Sequence, residues 1–357
     1  MRNHLFIIGC FLAVIGCSPK KQPMVLEEVT LVGSVDLDFP KQLSEWGFFD
    51  LPLNTLLPTK GVVPYELNTP LFSDYALKSR FVKIPKGTQA NYHATEVMDF
   101  PKGTILIKNF YYVNDLTNKN SDKRIIETRL LLNDEQGWNA LTYVWNDEQT
   151  EATLEIAGRN VPVSWTDLNG TLRQVNYSVP NLGQCKSCHE LSGRMSLIGP
   201  TARQLNKAYT YSSGPSNQLD YWSAHGMLTG LPEISARPLL PIWDDPNTGS
   251  LAERSRAWLE INCAHCHRPE GPAKNTGLYL TYNESDPYKL GIMKPPVAAG
   301  RGSGGLKFGI VPSKPEESIL YHRIASTDPG VMMPEVGRKL THEEGILLIK
   351  NWIAAMD

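Results

Sequence analysis

Leu251-Ala252-Glu253-Arg254-Ser255-Arg256-Ala257-Trp258-Leu259-Glu260-Ile261-Asn262 runs straight into Cys263-Ala264-His265-Cys266-His267. Ser250 stands in front as an N-cap, and Leu251, Trp258, Leu259 and Ile261 supply an apolar side. The spacing therefore predicts a helix over 251–262 that ends in the cysteine motif. The same pattern occurs earlier as Cys185-Lys186-Ser187-Cys188-His189. Two thiols three positions apart, followed at once by a histidine, form the attachment pattern of c-type haem. The thiols bond to the haem vinyl groups, and the tether leaves only the next side chain close under the iron. Cys185, Cys188, Cys263 and Cys266 are thus read as attachment residues and His189 and His267 as iron ligands. The cofactors expected are two covalently bound haem c groups.

Paired Cys-x-x-Cys units also build zinc ribbons. A ribbon sets its pairs roughly 15–20 residues apart and has no use for a histidine at the same offset twice. Here the pairs stand far apart, at 185–188 and 263–266. Four of the six cysteines sit in the two motifs, and the others are Cys10 and Cys17.

Those two belong to the amino terminus. Met1-Arg2-Asn3-His4 carries positive charge, and Leu5 to Gly16 is an apolar run. It is too short for a bilayer span of about 20 residues and suits the core of a signal peptide. Its end, Val14-Ile15-Gly16-Cys17, resembles a bacterial lipobox. The resemblance implies cleavage before Cys17 and lipidation of Cys17, and Ser18 behind it fits release toward the outer membrane. Cys10, after Ile8-Gly9, is a second candidate, and an ordinary secretory signal is the alternative. Each buried CH₂ of an acyl anchor contributes about 0.8 kcal/mol, so two chains hold firmly. The expectation is an exported bacterial lipoprotein, periplasmic or anchored at the outer membrane. Its signal peptide would cover 1–16, and its lipidated cysteine and linker 17–40. Export agrees with the haem motifs, because bacteria attach c-type haem outside the cytoplasm.

A formal charge of −2 over 357 residues gives no footprint for nucleic acid. The partners expected are redox proteins and, through the lipid anchor, a membrane. No segment after the amino terminus is apolar enough to cross a bilayer.

Residues 41–180 read as a β-rich domain. Strands are expected at 124–132, 138–145, 153–156, 161–165 and 171–179, separated by turn-rich runs such as Asn133-Asp134-Glu135-Gln136-Gly137. The regular turns point to an antiparallel meander closing into a sandwich or barrel. Pro-Lys-Gly-Thr at 85–88 and again at 101–104 marks two tight turns. Residues 181–250 form the first haem-binding segment, with short helices expected at 201–209 and 217–228. Residues 251–357 form the second haem domain, closed by a helix over 341–356 with a Thr341–Glu344 capping box. The fold class expected is α+β and multidomain, a β-rich part followed by a mostly α, cytochrome c-like haem region.

A helix before Cys-x-x-Cys-His, a long wrapping stretch, Met332-Met333-Pro334 and a closing helix with Trp352-Ile353 resemble a class I cytochrome c over 251–357. Gly345 would let its two helices cross closely. The whole chain is similar to a family of bacterial dihaem c-type cytochromes with a β-rich amino-terminal region. The residues that carry this are Ile126-Glu127-Thr128-Arg129-Leu130-Leu131, Gln184 with the first motif, Ile198-Gly199-Pro200, Asn262 with the second motif, and Ala299-Gly300-Arg301-Gly302-Ser303-Gly304-Gly305. The resemblance implies electron transfer.

For the sixth ligand of the second iron, Met333 is favoured over Met332, because Pro334 biases it away from helical geometry. For the first iron, Met227, Met195 and His225 stand open as candidates. His265, between its cysteines, is expected to face solvent, and His93, His322 and His342 have no ligand-like context. The glycine-rich run 300–305 lacks a phosphate-loop ending and reads as a loop near haem, with Arg301 facing a propionate. Trp258 and Trp352 fit a helix crossing, and Trp138, Trp145 and Trp165 a β core. The function expected is that of an electron carrier rather than a catalyst. Two alternatives are a peroxidase-like dihaem enzyme with one open iron and a β-rich partner-binding module served by the haems.

Overall fold

Two strand-forming runs over 123–145, joined at the turn-rich residues 134–137, fold as a long antiparallel hairpin, within a chain described here by a computed structural model over residues 39–297 and 299–357. Cys10, Cys17, the expected signal peptide and the linker up to residue 38 lie outside the described residues. In chain order the first strands are β1 (Val62–Tyr65), β2 (Leu77–Lys83), β3 (Ala90–Asn91), β4 (Ile105–Val113), β5 (Lys123–Asp134), β6 (Gly137–Trp145) and β7 (Ala152–Leu154). All but β3 join one antiparallel sheet in the order β1-β2-β4-β5-β6-β7. The two Pro-Lys-Gly-Thr runs are tight turns, with Thr88 and Thr104 bonded back to the carbonyls of Pro85 and Pro101 at 3.1 and 3.2 Å. A second hairpin, β8 (Arg159–Thr166) and β9 (Leu172–Val179), forms its own small sheet. The large sheet ends at β1 and β7, so the meander is an open sheet with a hairpin laid on it, not a closed barrel. The fold is α+β, a large antiparallel sheet with few helices.

Strand alternation gives that sheet two different faces. Phe81, Ile107, Leu130 and Leu141 are register neighbours on one face and all are buried. The amino-terminal segment covers them: Phe49 meets Phe81 edge-on at 5.0 Å, and Trp46 Nε1 donates to Tyr143 Oη at 2.8 Å. On the opposite face, Phe110, Tyr112 and Val144 pack at one end against Val163, Trp165 and Tyr177 of the β8–β9 hairpin. At the other end Val82 and Leu106 pack with Leu205, Leu219 and Trp222. Each such side chain removed from water contributes about 1.5–3 kcal/mol. Between these clusters the same face borders a cavity.

The helices are α1 (Leu182–His189), α2 (Ala202–Leu205), α3 (Gln218–Ala224), α4 (Leu251–Leu259), α5 (Ile319–Ile324) and α6 (Glu343–Ala354). The expected helix over 201–209 stops at Leu205. Residues 208–217 instead form a hairpin in which Tyr211 stacks on Tyr221 at 3.5 Å. Tyr-Thr-Tyr favours extended backbone, and the stack gives those rings a partner that a helix would not. The expected 217–228 helix ends at Ala224, before Gly226 at φ +67°. Ser250 and Glu253 do form a capping box at α4. The Thr341–Glu344 box is absent. α6 starts after His342, and Tyr75 takes the cap's place, accepting from Glu343 N at 3.1 Å and donating to Glu344 at 2.9 Å.

At the crossing of α4 and α6, a Cβ on Gly345 would collide with the Trp258 indole. Glycine there is what lets the helices approach. Trp258 and Trp352 share a core with Leu259, Ile349 and Ile353. Among the described residues no helix is long and apolar enough to cross a membrane.

Candidate haem-attachment sites

The first motif lies on α1, whose start is fixed by a reciprocal cap. Asn181 Oδ1 accepts from Gln184 N at 2.9 Å and Gln184 Oε1 from Asn181 N at 3.0 Å. The helix carries Cys185 buried, Cys188 half-buried and His189 as its last residue. A short hairpin, Glu190–Leu191 with Arg194–Met195, then turns the chain back. This brings the Ser196 carbonyl 2.8 Å from His189 Nδ1. That nitrogen carries the proton, and burial holds the imidazole down to about 4, so it is neutral with Nε2 free. A histidine that donates one ring nitrogen to a backbone carbonyl has its tautomer and orientation set for metal ligation. Two cavity lobes meet at Cys188, His189 and His265. One is bordered by the sheet through Leu106, Leu131, Ala140 and Thr142. The other has a volume of about 690 Å³, within the roughly 300–1,000 Å³ usual for cofactor pockets.

The second motif sits on the turn that continues α4, a wider helical turn over Glu260–Ala264. Asn262 anchors it: Nδ2 donates to the Trp258 carbonyl at 2.9 Å, and Oδ1 accepts from Phe72 N at 2.9 Å. Cys263 is part of the helical core. A Cβ on Gly271 would strike the Cys266 carbonyl, so the chain after the motif folds tightly over it. Burial holds His267 down to about 4 as well, and its carbonyl accepts from Leu280 N at 2.9 Å. The cavity beside it has a volume of about 420 Å³ and is mostly apolar, with Leu278, Leu280, Leu290, Ile310, Pro295 and Met333 in its wall.

The two motifs touch. Cys266 Sγ lies 3.9 Å from the Ser187 carbonyl oxygen, and Ser187 and Cys188 line the cavity of the second motif. Burial raises all four thiols above the ordinary cysteine range, Cys263 and Cys266 to about 12. Among the described residues no three His, Cys, Asp or Glu side chains converge on a point that could hold a metal ion. His189 borders the first cavity and His267 the second, and the two motifs share parts of both walls.

The remaining sequence candidates divide clearly. Met333 lines the cavity beside His267 and also borders the sheet-side lobe at the first motif, whereas Met332 is buried. Arg338 fixes the Met333 backbone, donating to its carbonyl from Nε at 3.2 Å and from Nη2 at 2.8 Å, and Nη2 also reaches the Ser326 carbonyl at 2.8 Å. Around the first motif none of Met227, Met195 or His225 lines the cavity. Met227 packs on the Trp222 core, and Met195 pairs with Glu190 in the short hairpin. His225 is exposed and stacks on Tyr221 at 3.9 Å.

His265 does not face solvent as expected. Its Nδ1 is buried, and the ring borders all three cavity regions, because the turn after α4 points it inward. His342 also borders the first cavity, its Nδ1 accepting from Trp258 Nε1 at 3.0 Å. Arg301 is exposed and ion-paired with Asp328, so the expected propionate contact has a competing partner. Sequence reasoning missed Arg80, Lys108 and Arg129 in the wall of the first cavity. Their signal was a charge at an inward position of three separate strands. No family model, curated protein or solved structure matches the chain.

Proposed function

We propose that this chain is a dihaem c-type cytochrome that passes electrons between protein partners, exported and held at a membrane by lipid on Cys17. The observation that carries the reading is the contact between the motifs, 3.9 Å from Cys266 Sγ to the Ser187 carbonyl, with each histidine beside its own cavity. The residues present fit haem c at both places: a thiol pair and a neutral buried imidazole at each, with a largely apolar wall at the second. When bound, haem c supplies one-electron chemistry through the ferric–ferrous couple. Cys185 and Cys188 would hold the first group and Cys263 and Cys266 the second. His189 offers Nε2 because Ser196 fixes its other nitrogen. Met333 would offer a thioether from the wall of the second cavity, on a loop tied down by Arg338. The apolar wall of the second cavity would keep water away, which favours the less charged ferrous state.

A redox titration of the mature protein, followed by absorption, tests this. Electron transfer predicts two one-electron steps and no change when carbon monoxide is added to the reduced protein. A second reading, a peroxidase-like enzyme with one open iron, is favoured by the placement of Met227, Met195 and His225 away from the first cavity. A ferrous haem that binds carbon monoxide in the unaltered protein would move the assignment there.

A further inference from the structure

Three cations stand in a row across the sheet wall of the first cavity. Arg80 on β2 pairs in register with Lys108 on β4, and Lys108 with Arg129 on β5. Side chains so paired start about 4.5–5.5 Å apart, and like charges placed there destabilise a sheet. Burial makes the arrangement more costly, because water no longer screens the charges.

Only part of this charge is answered by the protein. Arg129 is ion-paired with the fully buried Glu127. Lys78, the next cation along β2, donates to the Ala76 carbonyl at 2.8 Å. Arg80 is 6% exposed, and its Nη2 is buried with no hydrogen-bond partner among the described residues. Lys108 contacts the Phe110 ring at 4.7 Å but has no hydrogen bond or ion pair among the described residues. Burial, with the neighbouring arginines and Lys78, pushes its amine well below the ordinary lysine range. The other titratable groups bordering this cavity are Tyr65, Cys185, Cys188, His189, His265, Arg338 and His342, none of them a carboxylate. Glu66 near Arg80 is already paired with Lys207 at 3.0 Å, and Asp74 near Lys78 and Arg338 accepts from the Lys339 and Leu340 amides.

We propose that Arg80, Lys108 and Arg129 form a carboxylate seat that receives the propionates of the haem tethered at Cys185 and Cys188. Arg80 and Lys108, the two basic side chains of the row without an ion pair among the described residues, match two carboxylates, and the row and the first motif border one cavity. The proposal rests on the dihaem reading and extends it to three residues on strands far from the motif in sequence. The shared chemistry, a buried carboxylate, could instead come from a free dicarboxylate entering the cavity.

The test compares Lys108→Met, Arg80→Met and Lys108→Arg in the haem-loaded protein. Cations beside a haem favour the ferrous state and keep its propionates ionised. Removing one should lower one of the two potentials by the equivalent of roughly a tenfold change in the ferrous-to-ferric ratio, ~59 mV for one electron. It should also make that potential fall with rising pH in a range where the unaltered protein is flat. Lys108→Arg should stay near the original potential. The second potential should not move in any variant, and addition of succinate should give no saturable spectral change. Normal haem loading with both potentials unmoved in Lys108→Met and Arg80→Met overturns the seat alone. Saturable succinate binding that Lys108→Met abolishes assigns the row to a free dicarboxylate and overturns the propionate assignment. A denatured protein without haem on Cys185 and Cys188 overturns the dihaem reading and the seat with it.

Discussion

Cys266 Sγ lies 3.9 Å from the carbonyl oxygen of Ser187, so the second motif packs against the middle of the first. The two stretches are separated in sequence by the whole hairpin-and-helix segment between them, and the fold brings them back together. α1 reaches the meeting point from the sheet side and α4 from the helical core. If both motifs carry haem as proposed, this contact would hold the two groups close enough to exchange electrons.

The Met-Pro loop gives the first prediction. A thioether ligand raises the potential relative to two nitrogen ligands. Met333→Ala should remove the near-infrared sulfur-to-iron band of the oxidised protein, lower one potential and open that iron to carbon monoxide. Met332 is buried, so Met332→Ala should keep the band and cost about 2–5 kcal/mol of stability. Loss of the band in the Met332 variant alone would place the ligand one residue earlier.

His342 gives a pH prediction. Burial, with Lys78 nearby, holds its imidazole down to about 4, against about 6.5 in an unfolded chain. The unfolded state then binds more protons between those values. The stabilisation is complete above about pH 6.5 and is lost as pH falls toward 4. His342→Asn keeps an acceptor for the Trp258 indole and removes the titration. Urea midpoints measured from pH 7 to 4 should therefore fall less steeply in the variant, by up to about 3 kcal/mol at the acid end. Parallel profiles for the two proteins would show that His342 is not buried as a neutral ring.

Gly345→Ala places a methyl group against the Trp258 indole. Overpacking costs about 1–3 kcal/mol, and the gain in helix propensity returns roughly 1 kcal/mol. A lower melting temperature is expected. An unchanged or higher one would mean that α4 and α6 do not cross at this glycine.

Cys17→Ser should release the protein from membranes into the soluble fraction. Unchanged fractionation would place the anchor elsewhere.

Much of this architecture is legible from residue pattern. The strands over 123–145 and 159–179 follow from strand-forming runs between turn signals, the two Pro-Lys-Gly-Thr turns from their glycines, and the start of α4 from Ser250. Long-range partners are what local pattern does not carry. Tyr75 replaces the Thr341 cap, and Tyr221 draws residues 208–211 out of a helix into a strand. At the candidate sites, the cysteine–histidine motifs and Met333 can be picked out as candidates because each lies in a short motif. Register alone aligns Arg80, Lys108 and Arg129, and a strand read by itself shows each as an ordinary charge. His265 reads as a solvent residue until the turn after α4 is seen to aim it inward.

Haem counted on the denatured, exported chain tests the dihaem assignment most directly. Two covalently held haems per polypeptide are expected, reduced to one when Cys185 and Cys188, or Cys263 and Cys266, are both replaced by alanine. A natively produced chain that carries zinc and no covalent haem would contradict it.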